Sequence, residues 1–210
     1  MATRILVADD HPVVRQGLKS LLVREGFNVV GEAIDGREAL RQVEATQPEV
    51  ALLDLAMPGL NGLDAAREIM HGSPATKIII LTQHTEEPYV LDALRAGVHG
   101  YVLKSQSVTD VVQAIRDVTR GKLYVSPTIS DVVVSAFRGQ THLPSDLLTT
   151  RERQVLQLVA EGNSTKKIAE LLGIAQKTAE SHRSHLMVKL GIHEIAGLVR
   201  YAVRRGLVQP

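Results

Sequence analysis

The stretch Val50-Ala-Leu-Leu-Asp54-Leu-Ala-Met-Pro-Gly59 decides the fold. Its apolar run reads as a strand buried on both faces, the kind found in parallel sheets covered by helices. Met57-Pro58-Gly59 then turns the chain at once and leaves Asp54 at the carboxyl end of that strand. Similar short runs at 5–8, 29–33, 78–81 and 100–103 alternate with amphipathic stretches at 13–24, 37–46, 63–70, 88–96 and 108–119. The pattern predicts an α/β fold, a five-stranded parallel sheet built from five βα units with helices on both faces.

The alternation stops after Gly121. Ser126-Pro127 opens a possible linker helix through Phe137, and 138–146 is rich in Gly, Pro and polar residues. From Thr149 onward, short helical patterns are punctuated by Gly162, Gly173 and Gly191 with no strand signal. The reading divides the chain into an α/β domain at 1–122, a partly helical linker at 123–146 and an all-α domain at 147–210.

Composition narrows the function classes. The chain has 210 residues and 44% hydrophobic residues, enough for two modest cores, and it has no cysteine, which excludes disulfides and thiolate metal sites. No basic-then-apolar leader and no run long enough to span a bilayer are present, so a soluble, cytoplasmic protein with no membrane partner is expected. The formal net charge of +1 hides an asymmetry. From Thr149 onward ten Lys/Arg stand against five Asp/Glu, a net of +5, while the upstream part carries −4. A basic tail domain points to a polyanionic partner, although ordinary fluctuation in a small domain can give the same excess.

In an open parallel sheet, ligands bind beyond the carboxyl ends of the strands. The first strand ends in Asp9-Asp10, the third in Asp54, the fourth in Thr82 and the fifth in Lys104. Converging carboxylates repel one another unless a cation is present, and oxygen-only ligation favours Mg²⁺ or a similar hard divalent ion such as Mn²⁺. A carboxylate beside such a metal can be a nucleophile that forms an acyl phosphate. Asp54 is the candidate nucleophile, with Lys104 and the Thr82 hydroxyl as donors to a phosphoryl group. Any one of these residues alone is more readily a helix cap or a solvated surface group; all four at successive strand ends favour the functional reading.

Asp9-Asp10, the string Asp54-Leu-Ala-Met-Pro-Gly-Leu-Asn-Gly62, Thr82 and Tyr101-Val-Leu-Lys104 resemble the receiver domain of two-component response regulators over residues 3–121. The resemblance implies a flavodoxin-like fold and phosphoryl transfer from a sensor histidine kinase to Asp54. It also implies Mg²⁺ held by Asp10, Asp54 and the Ala56 carbonyl, with Asp9 acting through water, and Thr82 and Tyr101 as a switch pair. Gln83 stands where the family usually has a small residue, followed by His84, so altered autophosphorylation or dephosphorylation rates are expected.

In the basic part, Thr149 and Glu152 form a capping box, Gly162 closes that helix, and Ser164 caps a second helix that ends at Gly173. A polar third segment at 176–190 follows, suggesting a helix-turn-helix, though a small bundle for protein contacts fits the same pattern. Leu148-Thr-Thr-Arg-Glu, Lys167-Ile-Ala-Glu-Leu-Leu-Gly173 and Thr178-Ala-Glu-Ser-His-Arg183 resemble the LuxR-type DNA-binding domain over 147–208, which with a receiver is similar to the NarL subfamily. The resemblance implies that Lys177, Glu180, Ser181 and Ser184 face base edges of double-stranded promoter DNA. Lys166, Thr178, Arg183 and Lys189 would favour phosphates. Glu180 is equally readable as a solvated helix charge. The last helix implies a homodimer in the phosphorylated protein, through Ile195, Leu198, Val199 and Ala202; packing within the domain is the alternative for these residues.

Two other classes remain on the residues alone. A haloacid-dehalogenase-like phosphotransferase also uses a nucleophilic Asp on an α/β sheet with Mg²⁺, but it needs an acid two residues on, where this chain has Ala56. A receiver-fold interaction module without phosphorylation is the other. The response-regulator reading makes the chain a regulator that is not a turnover enzyme.

Overall fold

A computed structural model describes residues 2–85, 87–105, 107–138 and 148–208. The N-terminal part alternates β1 (Arg4–Ala8), α1 (Pro12–Arg24), β2 (Asn28–Ala33), α2 (Gly36–Thr46), β3 (Val50–Asp54), α3 (Gly62–Gly72), β4 (Lys77–Thr82), α4 (Glu87–Ala96), β5 (Gly100–Leu103) and α5 (Val108–Thr119). The parallel strands lie in the order β2-β1-β3-β4-β5-β6. Among the described residues the sheet therefore has six strands and not the expected five. The sixth, β6 (Tyr124–Val125), pairs with Gly100 and Tyr101 of β5 and is pinned by Ser126, whose N donates to the Tyr101 carbonyl and whose Oγ accepts from Leu103 N. Two residues carry no readable periodicity, so pairing alone makes this strand.

Alternation along the strands explains the two layers. Ile5, Val7, Leu52, Ile79 and Val102 point to one face and bury Leu22 of α1 with Ala114, Ile115 and Val118 of α5. Leu6, Ala51, Leu53, Ile78 and Ile80 point to the other and meet Val43 of α2, Ile69 of α3 and Val90 and Ala93 of α4. The helix α6 (Pro127–Arg138) follows β6 and adds the buried Ile129 to this second core. The remainder of the expected linker, 139–146, lies outside the described residues, as does 147.

The C-terminal part is all helical: α7 (Thr150–Ala160), α8 (Thr165–Leu172), α9 (Gln176–Leu190) and α10 (Ile195–Arg204). The expected capping box at Thr149 and Glu152 is present, and Ser164 caps α8 through Lys167 N. Gly173 and Gly191 close α8 and α9 in the left-handed region, both at φ 63°. Val155, Leu156, Leu158, Ile168, Leu172, Ala179, Leu186, Leu198 and Ala202 form one core. Among the described residues no helix is long and apolar enough to cross a membrane.

Candidate functional site: the acidic crevice and the helical domain above it

The order in which successive strands join the sheet reverses between β1 and β3, which opens a crevice at their carboxyl ends. Asp9 and Asp10 follow β1, and Asp54 is the last residue of β3. Together with His11 they place ligand atoms within 4.8 Å of one another. Asp9 is wholly buried and Asp54 is 3% exposed. Lys104, one residue past β5, reaches in with Nζ 2.8 Å from Asp9 Oδ2 and 2.9 Å from Asp54 Oδ2.

One ammonium faces three carboxylates. Burial pushes the Asp54 carboxyl from an ordinary 3.8 up to about 6, against the pull of Lys104 and with the help of Asp9 and Asp10. Burial also opposes the Lys104 charge, but Asp54 and Asp9 more than offset this and hold its pKa above 10.5. Asp9 Oδ2, Asp10 Oδ1 and Asp54 Oδ2 are buried without a hydrogen bond of good geometry. Crowded, under-neutralised carboxylate oxygens of this kind suit a hard divalent cation. The residues present therefore fit such an ion.

Local structure holds the cluster in place. Asp9 is fixed by His11 N donating to its Oδ1 at 2.9 Å and Arg15 donating to its carbonyl at 2.7 Å. His11 Nδ1 lies 2.8 Å from Asp10 Oδ1, a contact that sequence reasoning missed; its only signal was adjacency to the acidic pair. Gly62 is required by close approach, since a Cβ there would stand 2.0 Å from the Asp54 carbonyl oxygen. Thr82 and Tyr101 are both buried. The Thr82 hydroxyl accepts from His84 N at 3.0 Å, and Tyr101 OH donates to the His84 carbonyl at 3.1 Å. Gln83 is exposed beside them. Gln83→Ala is expected to change the lifetime of an acyl phosphate on Asp54, read by its decay after removal of the phosphoryl donor; equal lifetimes would dispose of that role.

The helical domain sits over this crevice, which the sequence did not foretell. Gln157 of α7, wholly buried, donates to the Met57 carbonyl at 2.9 Å and accepts from Asn61 N and Nδ2 at 3.1 and 2.9 Å. Glu161 accepts from Gly59 N at 2.9 Å. Arg153 Nε meets Asp64 Oδ1 at 2.8 Å, and Gln154 donates to Glu68 at 2.9 Å. Next to α10, Tyr89 of α4 donates to the Val203 carbonyl at 3.1 Å, and Arg205 lies 3.6 Å from Asp92. A cleft of about 240 Å³ remains, with Asp10, Ala56 and Pro58 on one wall and Ala160, Glu161 and Leu207 on the other.

The expected DNA-facing residues lie away from this contact. Lys166, Lys177, Thr178, Glu180, Ser181 and Ser184 are exposed. Glu180 accepts from Gln176 at 3.0 Å, Arg183 is half-buried with Nη1 3.4 Å from Thr165 Oγ1, and Lys189 Nζ is 2.6 Å from the buried Glu152. Of the four residues expected at a dimer contact, Leu198 and Ala202 are wholly buried in their own domain's core. As folded here, only Ile195, which is exposed, and Val199, which is half-buried, present apolar surface from that set.

Residues 5–116 match the response regulator receiver domain, and residues 146–202 match the bacterial regulatory proteins of the luxR family. The chain belongs to the two-component response regulators. It is 39% identical over 214 residues to the oxygen regulatory protein NreC of Staphylococcus carnosus strain TM300, covering 98% of this chain and 99% of that one. A receiver followed by a LuxR-type domain is the arrangement of the NarL subfamily. A two-component response regulator of the LuxR family from Aurantimonas sp. SI85-9A1 matches with a TM-score of 0.63 at 37% identity, over 66% of this chain and 99% of that one. RcsB from Salmonella enterica serovar Typhimurium, bound to promoter rprA in the presence of the phosphomimetic BeF3−, matches at TM-score 0.67 and 29% identity, over 96% and 98% of the two chains. This response regulator is thus a transcription factor with a receiver and a LuxR-type helix-turn-helix rather than a metabolic enzyme.

Proposed function

We propose that a sensor histidine kinase phosphorylates Asp54 and that the phosphoryl group controls both dimerisation and sequence-specific binding of α9 to double-stranded promoter DNA. The observation that carries the reading is the convergence of Asp9, Asp10, Asp54 and Lys104 directly beneath α7. Asp10, Asp54 and the Ala56 carbonyl, with Asp9 through water, would hold Mg²⁺ or Mn²⁺, which supplies charge neutralisation to the phosphoryl oxygens. Asp54 Oδ attacks phosphorus and the bond to the donor breaks; Lys104 pairs with the new negative charge, and Thr82 turns its hydroxyl toward it.

That charge builds up where Glu161 already occupies the cleft, and it disturbs the loop 57–61 that Gln157 and Glu161 clamp. The docked arrangement is the resting state in this reading, and its loss frees the helical domain to pair with a second copy. Lys177, Glu180, Ser181 and Ser184 then select sequence, while Lys166, Thr178, Arg183 and Lys189 set affinity and salt dependence. Lys189 must leave Glu152 to do so. The protein works in the cytoplasm, with the kinase, promoter DNA and its own second copy as partners.

Incubation with Mg²⁺ and acetyl phosphate, followed by intact mass, is expected to show one phosphoryl group on the native chain and none on Asp54→Ala. DNA-affinity sequencing under the same conditions is expected to lose site enrichment in Asp54→Ala. A native chain that gains no phosphoryl mass would overturn the reading in favour of a receiver fold that works by interaction alone.

A further inference from the structure

His84 occupies an unusual position between the crevice and the helical domain. Its backbone N donates to Thr82 Oγ1 at 3.0 Å, and its carbonyl accepts from Tyr101 OH at 3.1 Å. Its imidazole packs on the Tyr89 ring with centroids 4.4 Å apart and planes tilted by 41°. Tyr89, 7% exposed, donates through OH to the Val203 carbonyl in the last turn of α10. The chain after α10 closes over the same ring: a Cβ on Gly206, which sits at φ +61°, would stand 2.7 Å from Tyr89 Cε1. One residue therefore touches both expected switch side chains by its backbone and the anchor of the helical domain by its side chain.

From this geometry we infer that His84 is the positioning residue that couples the state of Thr82 to the docking of the α10 end on Tyr89. The inference rests on the proposed phosphorylation of Asp54. When the Thr82 hydroxyl turns to a phosphoryl oxygen, the His84 amide loses its acceptor. His84 is half-buried, and an amide that loses its acceptor inside the fold is costly, so the 83–85 backbone moves to satisfy it. The imidazole is carried with that backbone and shifts against the Tyr89 ring. Tyr89 then loses the orientation that aims its OH at Val203, and the ring no longer fits the surface left open by Gly206. The flat ring at position 84 matters because an aromatic pair is directional and a small side chain would leave the Tyr89 face unsupported. The neighbouring pair Arg205 and Asp92 holds the same end of α10 but has no contact with Thr82 or Tyr101 among those described, so it serves as the control.

The test uses the full chain, whose lack of cysteine lets Glu44→Cys and Lys177→Cys carry the only spin labels. Interdomain distances give the open-to-closed ratio with and without Mg²⁺ and acetyl phosphate, and intact mass reports the phosphoryl group in each sample. The quotient of the two ratios is the coupling. His84→Ala is expected to lower this quotient by roughly threefold or more while still gaining the phosphoryl mass. His84→Phe, which keeps a flat ring, is expected to retain it. Asp92→Ala is expected to shift both ratios alike and leave the quotient unchanged. A native quotient in His84→Ala, a loss in His84→Phe equal to that in His84→Ala, or an equal loss in Asp92→Ala would overturn the relay alone. A native chain that gains no phosphoryl mass would overturn the relay together with the proposed function.

Discussion

Replacing Arg153 with alanine is expected to raise the open-to-closed ratio of the unphosphorylated protein roughly 30-fold, about 2 kcal/mol. Asp64 is wholly buried at the start of α3, and the Arg153 side chain is 10% exposed, so their 2.8 Å contact is made away from water. Removing one partner of such a pair strands the other charge, which commonly costs about 3–5 kcal/mol. The smaller figure applies here because Arg67 Nη1, 2.9 Å from the same Asp64 oxygen, remains to compensate. The described contact of Arg153 is with Asp64 on α3 and not with the crevice carboxylates, so phosphorylation of Asp54 by acetyl phosphate should persist and proceed faster once α7 no longer roofs the site. Small-angle scattering and interdomain distances read the opening; a variant as closed as the native protein would show that the α7 contacts are incidental to the docked state.

The second large effect is on stability. Asp54→Asn is expected to stabilise the metal-free protein at pH 7.5 by about 1–3 kcal/mol, since a carboxyl pushed from 3.8 to about 6 must be ionised at the expense of the fold. The sign follows from which state holds the proton. Between pH 4 and 6 the unfolded chain has released it while the folded chain retains it, so rising pH favours unfolding across that window and the cost is constant above it. The stability gap between variant and native protein should therefore be small near pH 4 and full above pH 6. Mg²⁺ should close the gap by stabilising the native chain more than the variant. Urea denaturation at the two pH values, with and without Mg²⁺, checks this; a variant less stable than the native protein at pH 7.5 without metal would mean that Lys104 alone neutralises the cluster.

Much of the crevice was legible because its signals are local. Asp9, Asp10, Asp54, Thr82 and Lys104 each follow a short apolar run, and a parallel sheet brings strand ends to one edge whatever the helices do. The capping box at Thr149 and the glycines ending α8 and α9 were readable for the same reason, as each depends on residues a few positions apart. The sixth strand was not readable, because Tyr124-Val125 has no pattern of its own and exists through pairing with β5. The faces of α10 were not readable. Helical spacing grouped Leu198 and Ala202 with Ile195 and Val199, but spacing does not say which side of an amphipathic helix its own core has claimed.

The sequence by itself determined the two kinds of domain, the edge of the sheet where the chemistry gathers and the residues that gather there, since periodicity, caps and strand ends are properties of neighbouring residues. Only the tertiary structure decided that α7 lies over the crevice, that Gln157, Glu161 and Arg153 hold it there and that His84 stands between Thr82 and Tyr89. The α7 contacts join residues up to about a hundred positions apart, such as Gln157 and Met57. On a helix, a glutamine or arginine that spans two domains carries the same local pattern as one that faces water, because its role is set by the surface it meets and not by its neighbours in the chain.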